Sequence, residues 1–114
     1  MHALIIEDEF LTAATIEFVL RDCGFDSFDF ATSSGVAIAA ARSRRPDLVT
    51  ADIQLEPGSG IDAVRAICAT APVPVIYITV SARNVREQLQ NHAVLDKPFS
   101  PETLSYAVAA CLPS

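Results

Sequence analysis

The fold is decided by the stretch Pro46-Asp47-Leu48-Val49-Thr50-Ala51-Asp52, in which an almost continuous apolar run ends on an acidic residue. Similar short runs recur along the chain, at residues 3–6, 28–30, 48–51, 75–78 and 93–95. Three of them are nearly continuous Val, Ile and Leu without polar alternation, which is typical of strands buried on both faces of a parallel sheet.

Segments with helical periodicity separate these runs, at residues 10–23, 34–44 and 60–71, and a last helix is expected after Ser100. Ser100 suits the N-cap of that helix and Pro101 its first turn, while Thr103 stands where a Glu would complete a capping box. The polar stretch 81–91 predicts a short or irregular fourth helix. The order is (βα)₅, which predicts an α/β, doubly wound, five-stranded parallel sheet in the order 2-1-3-4-5.

Length and composition suit one domain over residues 1–114, with 51% hydrophobic residues. The net charge of −6 argues against direct binding to nucleic acid or to an anionic membrane. No signal peptide precedes the first run and no apolar run has the roughly 20 residues of a membrane span, so a cytoplasmic protein is expected. Cys23, Cys68 and Cys111 form no metal spacing and are expected to be small buried thiols, while the histidines fall in a terminus and a loop.

Polar residues follow four of the runs: Glu7-Asp8-Glu9, Asp52, Thr79 and Lys97. Each has a simple structural explanation, as a solvated helix start, a strand end or a solvated cation. Asp52 is harder to explain in that way, because an unpaired charge is costly where it interrupts an apolar run. Ligands bind at the carboxyl ends of parallel strands where the winding reverses, so we expect these side chains to meet in one cleft.

Three carboxylates in one pocket repel each other unless a cation joins them. Mg²⁺ takes one or two carboxylates, some waters and phosphate oxygens. An aspartate there can attack phosphorus, while a lysine, a hydroxyl and the metal neutralise the equatorial oxygens. The residues therefore predict phosphoryl chemistry at Asp52.

The whole chain resembles the receiver domains of two-component response regulators, a flavodoxin-like fold. The matching stretches are 4–9, 46–52, 74–79 and 97–99. The resemblance implies that Asp52 takes a phosphoryl group from a phosphohistidine on a sensor histidine kinase or phosphotransfer protein. It also implies that Glu7, Asp8, Asp52 and the Gln54 carbonyl hold Mg²⁺, that Thr79 and Lys97 bind phosphoryl oxygens, and that the Lys97–Pro98 peptide is cis.

Several positions depart from the family pattern. Val80 replaces a usually small residue, Val94 replaces the usual switch aromatic, and the spacing from Thr79 to Lys97 is short. Gln54 and Ser81 stand where the family tunes phosphoryl lifetime, and they predict self-dephosphorylation in minutes or less. Asp96 either pairs with a surface cation or disturbs Lys97.

Residues 51–55 and 58–64 are similar to receivers of alphaproteobacterial general-stress regulators. The expected function is a stand-alone, monomeric phosphoacceptor rather than a turnover enzyme, acting as relay, phosphate sink or phosphorylation-dependent partner of a downstream regulator. Two alternatives remain. One is a degenerate receiver that acts only as a binding module. The other is an aspartyl-phosphate hydrolase, which would need a second Asp at the position of Gln54.

Overall fold

Strands and helices alternate along the part of the chain that the computed structural model describes, which is residues 1–55, 57–80, 82–86, 89 and 92–112. The strands there are β1 (His2–Ile6), β2 (Ser27–Ala31), β3 (Leu48–Ala51), β4 (Val75–Thr79) and β5 (Ala93–Asp96). The helices are α1 (Phe10–Asp22), α2 (Ser34–Ser43), α3 (Gly60–Cys68), α4 (Ala82–Val85) and α5 (Pro101–Cys111). The predicted (βα)₅ order is confirmed.

The five strands form one parallel sheet in the order β2-β1-β3-β4-β5, as the sequence predicted. The winding reverses between β1 and β3, where Ile6 lies opposite Ala51. The carboxyl ends of these two strands therefore meet, and the residues that follow them in the chain are neighbours in space.

Both faces of the sheet are covered, which explains the unbroken apolar runs. Along β1, Leu4 and Ile6 pack toward α2 and α3, whereas Ala3 and Ile5 pack toward α1 and α5. The same alternation continues along β3 and β4. The central strands are thus buried on both sides, with Tyr77 of β4 only 1% exposed.

Local chemistry sets where several helices begin and end. Ser100 caps α5, and Thr103 completes the capping box by accepting a hydrogen bond from the Ser100 backbone, a role the sequence analysis assigned to a Glu. Helix α3 ends at Cys68 rather than at the predicted residue 71. A 3₁₀-type bond of 3.4 Å from the Ala69 N–H to the Ala66 carbonyl closes its last turn, and the residue before Pro72 disfavours helical geometry.

His2 lies at the amino terminus, as the sequence analysis stated, and is a buried residue of β1 there. Its ring nitrogens lie 2.8 Å from the Ser27 hydroxyl and 3.0 Å from an Asp29 carboxylate oxygen on β2. These contacts satisfy a polar ring that the strand pairing places inside the fold. His92 does lie in a loop, where it meets the Tyr77 ring edge-on with centroids 5.6 Å apart.

The three cysteines are free and half-buried rather than buried. Helix α4 comprises four residues, so the fourth helix is short as predicted. Within the described part of the chain, no helix has the length and apolar character needed to cross a membrane.

Candidate functional site

The carboxyl edge of the sheet gathers the residues predicted from the sequence. Glu7 follows β1 and Asp52 follows β3, and the Asp52 amide donates to the Ile6 carbonyl at 2.9 Å. Thr79 is the last residue of β4 and Lys97 directly follows β5. Four separate segments therefore meet at the edge where the winding reverses.

Lys97 joins two carboxylates at the centre of this edge. Its ammonium nitrogen lies 2.8 Å from Glu7 Oε1 and 3.0 Å from Asp52 Oδ2, and its side chain is 17% exposed. Burial alone would lower the pKa of Lys97, but its hydrogen bonds and attraction to Glu7 and Asp52 outweigh this and raise the pKa. The lysine is thus held as a cation beside the expected acceptor.

Glu7 is a buried acid that meets both a backbone amide and the lysine. Oε2 accepts the Glu9 amide at 3.1 Å, and Oε1 forms the 2.8 Å ion pair with Lys97. Burial raises the pKa of Glu7, and the opposing effect of Lys97 only partly offsets this. A buried carboxylate oxygen of this kind suits a further cation.

Carboxylate oxygens of Glu7, Asp8 and Asp52 all lie within 4.8 Å of one another. Asp8 and Asp52 open onto a pocket of about 510 Å³, which Gln54 and Lys97 also line. Three clustered carboxylates, two of which share one lysine, are hard oxygen ligands and fit Mg²⁺, which accepts a few carboxylates and fills its remaining positions with water and phosphate. Glu7, Asp8, Asp52 and the Gln54 carbonyl are the residues that would hold it.

Thr79 is fully buried at the end of β4, opposite Asp96 of β5. Its carbonyl accepts the Lys97 amide at 3.0 Å, so this strand end fixes the backbone from which the lysine reaches the pocket. The Lys97–Pro98 peptide is cis, as the resemblance implied.

Asp96 pairs with a surface cation, which settles the two alternatives left open by the sequence. Arg86 lies 3.6 Å from its carboxylate and donates to the Val94 carbonyl at 3.2 Å. Both charged side chains are more than half exposed, so the pair contributes little stability.

Val94, at the position of the missing aromatic, is buried. Ser81, the second lifetime position, lies outside the described residues.

The loop after β3 holds Gln54 in place and adds Gly58, Ser59 and Gly60, which the sequence did not mark as site residues. Asp52 Oδ1 accepts the Gln54 amide at 3.1 Å, and Gln54 pairs with Ser59 in an isolated antiparallel bridge. Gly58 has φ +96°, where L side chains are strained, and Gly60 packs against the Asp52 peptide. The available signal in the sequence was a pair of glycines, Gly58 and Gly60, in the loop that follows Asp52.

The chain belongs to the response regulator receiver domain family, whose sequence model matches residues 3–109. Receiver domains use Mg²⁺, and the acidic cluster described above could hold it. The fold, the strand order and the positions of the acidic and basic residues all agree with this membership.

Similar proteins include the phyllosphere-induced regulator PhyR of Methylorubrum extorquens, with 37% identity over 96% of this chain and 42% of that protein. The DNA-binding response regulator MtrA of Mycolicibacterium smegmatis is 34% identical over 96% of this chain and 49% of its own length. The chain therefore spans about half the length of the curated relatives it matches.

Solved structures of the same group superpose closely. The receiver domain of Erythrobacter litoralis PhyR has a TM-score of 0.87 at 34% identity, covering 96% of this chain and 88% of that one. PhyR from Brucella abortus has a TM-score of 0.90 at 32% identity, covering 97% and 47%.

Proposed function

We propose that Asp52 accepts a phosphoryl group from a phosphohistidine and later loses it to water. The observation that carries this proposal is the Asp52 carboxylate itself, which lies 3.0 Å from the partly buried Lys97 ammonium and within 4.8 Å of two further acids. An isolated structural ion pair would not need the two additional carboxylates, because each adds repulsion.

In the transfer step an Asp52 oxygen attacks phosphorus as the bond from phosphorus to the donor imidazole breaks. The electron pair of that bond returns to the imidazole nitrogen, and Asp52 becomes an acyl phosphate. Lys97 places its positive charge where charge gathers on the phosphoryl oxygens, and the Thr79 hydroxyl supplies a hydrogen bond to one of them. Bound Mg²⁺ would neutralise the same oxygens.

The surface beside the pocket suits a protein donor. A cleft of about 400 Å³ runs next to Lys97, with Leu11, Val80 and Phe99 among the residues that line it. Leu11 and Val80 are 74% and 64% exposed, and Phe10 on the same helix end is 82% exposed. Apolar side chains at the entrance favour docking of another protein over capture of a small polar phosphate.

The test is transfer of a labelled phosphoryl group from a histidine kinase or phosphotransfer protein of the host, with Mg²⁺ present. Wild type and Asp22→Ala, the same change at an exposed acid of α1, should be labelled, whereas Asp52→Ala should not. Failure of wild type to accept label from any donor would refute the proposal and favour a binding module. Turnover of small phosphomonoesters would instead favour a hydrolase.

We further propose that phosphoryl flow, as relay or sink, is the main role of this receiver. Val94 packs in the same core cluster as Tyr77, and its β-branched side chain has little rotamer freedom. Val94 has no aromatic ring, so the ring rotation that the family resemblance would predict at this position cannot report phosphorylation. The expected phosphoryl half-life is minutes or less, measured by loss of label in Mg²⁺ buffer, and a half-life of many hours would contradict it.

The relatives suggest which partners to propose. PhyR of Bartonella quintana, 31% identical, is described as an anti-anti-sigma factor, and another PhyR as a stress response regulator. We propose that this receiver belongs to stress signalling of the same kind and exchanges phosphoryl groups with its kinases. A phosphotransfer profile across the host's kinases measures this directly. Preference for a kinase of unrelated signalling would contradict it.

A further inference from the structure

We infer that Gly60 is a positioning residue for phosphoryl transfer, because its missing side chain lets the first turn of α3 rest directly on the peptide of the acceptor Asp52. A Cβ at position 60 would lie 2.7 Å from the Asp52 carbonyl carbon and closer still to its oxygen, and 3.1 Å from Ile53 Cα. The inference rests on the proposed function, since it concerns the same carboxylate.

The contact is made by backbone on both sides, so it cannot be relieved by rotating a side chain. Carbon atoms in van der Waals contact lie about 3.5–4.0 Å apart. Any side chain at position 60 therefore forces α3 and β3 roughly 1 Å further apart. Gly60 also donates its amide to the Ile53 carbonyl at 3.1 Å, which ties the two segments together.

Neither direction of movement leaves the pocket intact. If the end of β3 moves, Asp52 shifts away from Lys97, which lies only 3.0 Å from its carboxylate. If α3 moves, it stretches the Gly60–Ile53 hydrogen bond and the Gln54–Ser59 bridge. This displaces the Gln54 carbonyl, which is expected to hold Mg²⁺. The bond from the Asp52 amide to the Ile6 carbonyl opposes movement of β3, and the Gly60–Ile53 bond opposes movement of α3.

The backbone at Gly60 is not in the left-handed region, in contrast to Gly58. The requirement for glycine at position 60 is therefore steric, and its closest contacts are with the Asp52 peptide. Gly35 supplies the matched control, because a Cβ there meets nothing within 4 Å.

The experiment compares wild type, Gly60→Ala and Gly35→Ala in three measurements. Circular dichroism reports folding, NMR shifts during Mg²⁺ titration give the dissociation constant, and acetyl phosphate serves as a small donor that needs no protein docking. For Gly60→Ala we expect a folded protein, an increase of at least tenfold in the Mg²⁺ dissociation constant and phosphoryl uptake slowed by about 100-fold. Gly35→Ala should match wild type within about twofold in both.

A folded Gly60→Ala variant with the wild-type Mg²⁺ affinity and uptake rate would overturn the inference. So would a variant that fails to fold even in the cold with saturating Mg²⁺, because Gly60 would then be a requirement of folding. If wild type takes up no phosphoryl group from acetyl phosphate or from any histidine kinase or phosphotransfer protein of the host, the proposed function fails, while the Mg²⁺ affinities of the variants still decide the role of Gly60.

Discussion

Replacing Lys97 by Met should destabilise the fold, and Mg²⁺ should restore much of the loss. At 3 Å and an effective dielectric constant of 20, each contact of the lysine is worth about 5 kcal/mol before desolvation. Two such contacts exist, at 2.8 and 3.0 Å. Desolvation cancels most of this sum, and loss of one partner of a buried ion pair costs about 3–5 kcal/mol. Because Lys97 is still 17% exposed, we expect the lower end, about 3 kcal/mol.

The reason for the Mg²⁺ effect is electrostatic. Lys97→Met leaves three neighbouring carboxylates with no cation, so a divalent ion relieves more repulsion in the variant than in wild type. At ten times its dissociation constant, a ligand raises the unfolding free energy by about 1.4 kcal/mol. We expect this gain for wild type and about 1 kcal/mol more for the variant at the same Mg²⁺ concentration.

The assay is urea unfolding at pH 7, followed by circular dichroism, with Mg²⁺ or with a chelator. Arg42→Met, which removes an exposed cation from α2, is the control and should change stability by no more than about 0.5 kcal/mol. The reasoning is refuted if Lys97→Met is as stable as wild type in the chelator, or if Mg²⁺ stabilises both proteins equally.

Three further substitutions test single features. Glu7→Gln removes a buried charge, so without Mg²⁺ the unfolding free energy at pH 7 should rise by about 1 kcal/mol, while Mg²⁺ affinity falls about tenfold. Thr50→Val removes a buried hydroxyl that has no hydrogen-bond partner among the described residues, and should stabilise by about 1 kcal/mol in urea unfolding. Ser100→Ala removes the α5 cap and should cost about 1 kcal/mol, against no loss for the exposed Ser43→Ala.

The raised pKa of Glu7 also fixes the sign of a pH effect. The folded protein binds this proton more tightly than the unfolded chain, so the Glu7 contribution to stability falls as pH rises from 4.5 through the raised pKa. Mg²⁺ needs the ionised acid, so its affinity should rise over the same window. Titrations of wild type and Glu7→Gln measure both slopes, and parallel curves for the two proteins would contradict this reasoning.

The sequence predicted the strands well because each strand is recognisable from a short stretch of residues. Strands buried on both faces need unbroken apolar runs, and the run that ends at Asp52 identifies both strand β3 and the end of it at which the functional residues lie. The site residues followed from the strand order, since parallel strands bring their carboxyl ends to one edge. The chain order of Glu7, Asp52, Thr79 and Lys97 was therefore enough to predict that they meet.

Features that depend on close approach in space could not be predicted. The contact of Gly60 with the Asp52 peptide follows from how α3 packs, and the sequence gives only a glycine at a helix start. The burial of His2 depends on its pairing with β2, whose Asp29 and Ser27 supply the ring with partners. The bridging of two acids by Lys97 likewise required distances.

Tyr77 gives the molecule an optical probe inside its central sheet. The chain has no tryptophan and two tyrosines, of which Tyr106 is 79% exposed. Tyr106→Phe would leave Tyr77 as the only tyrosine of the chain and hence its main fluorophore. Tyr77 lies two residues before Thr79, so it is close to the site. Burial raises the pKa of Tyr77 to about 12, so its emission stays that of a neutral phenol across any pH at which Mg²⁺ or phosphoryl uptake is studied. Fluorescence can therefore follow β4 in real time, without an attached dye.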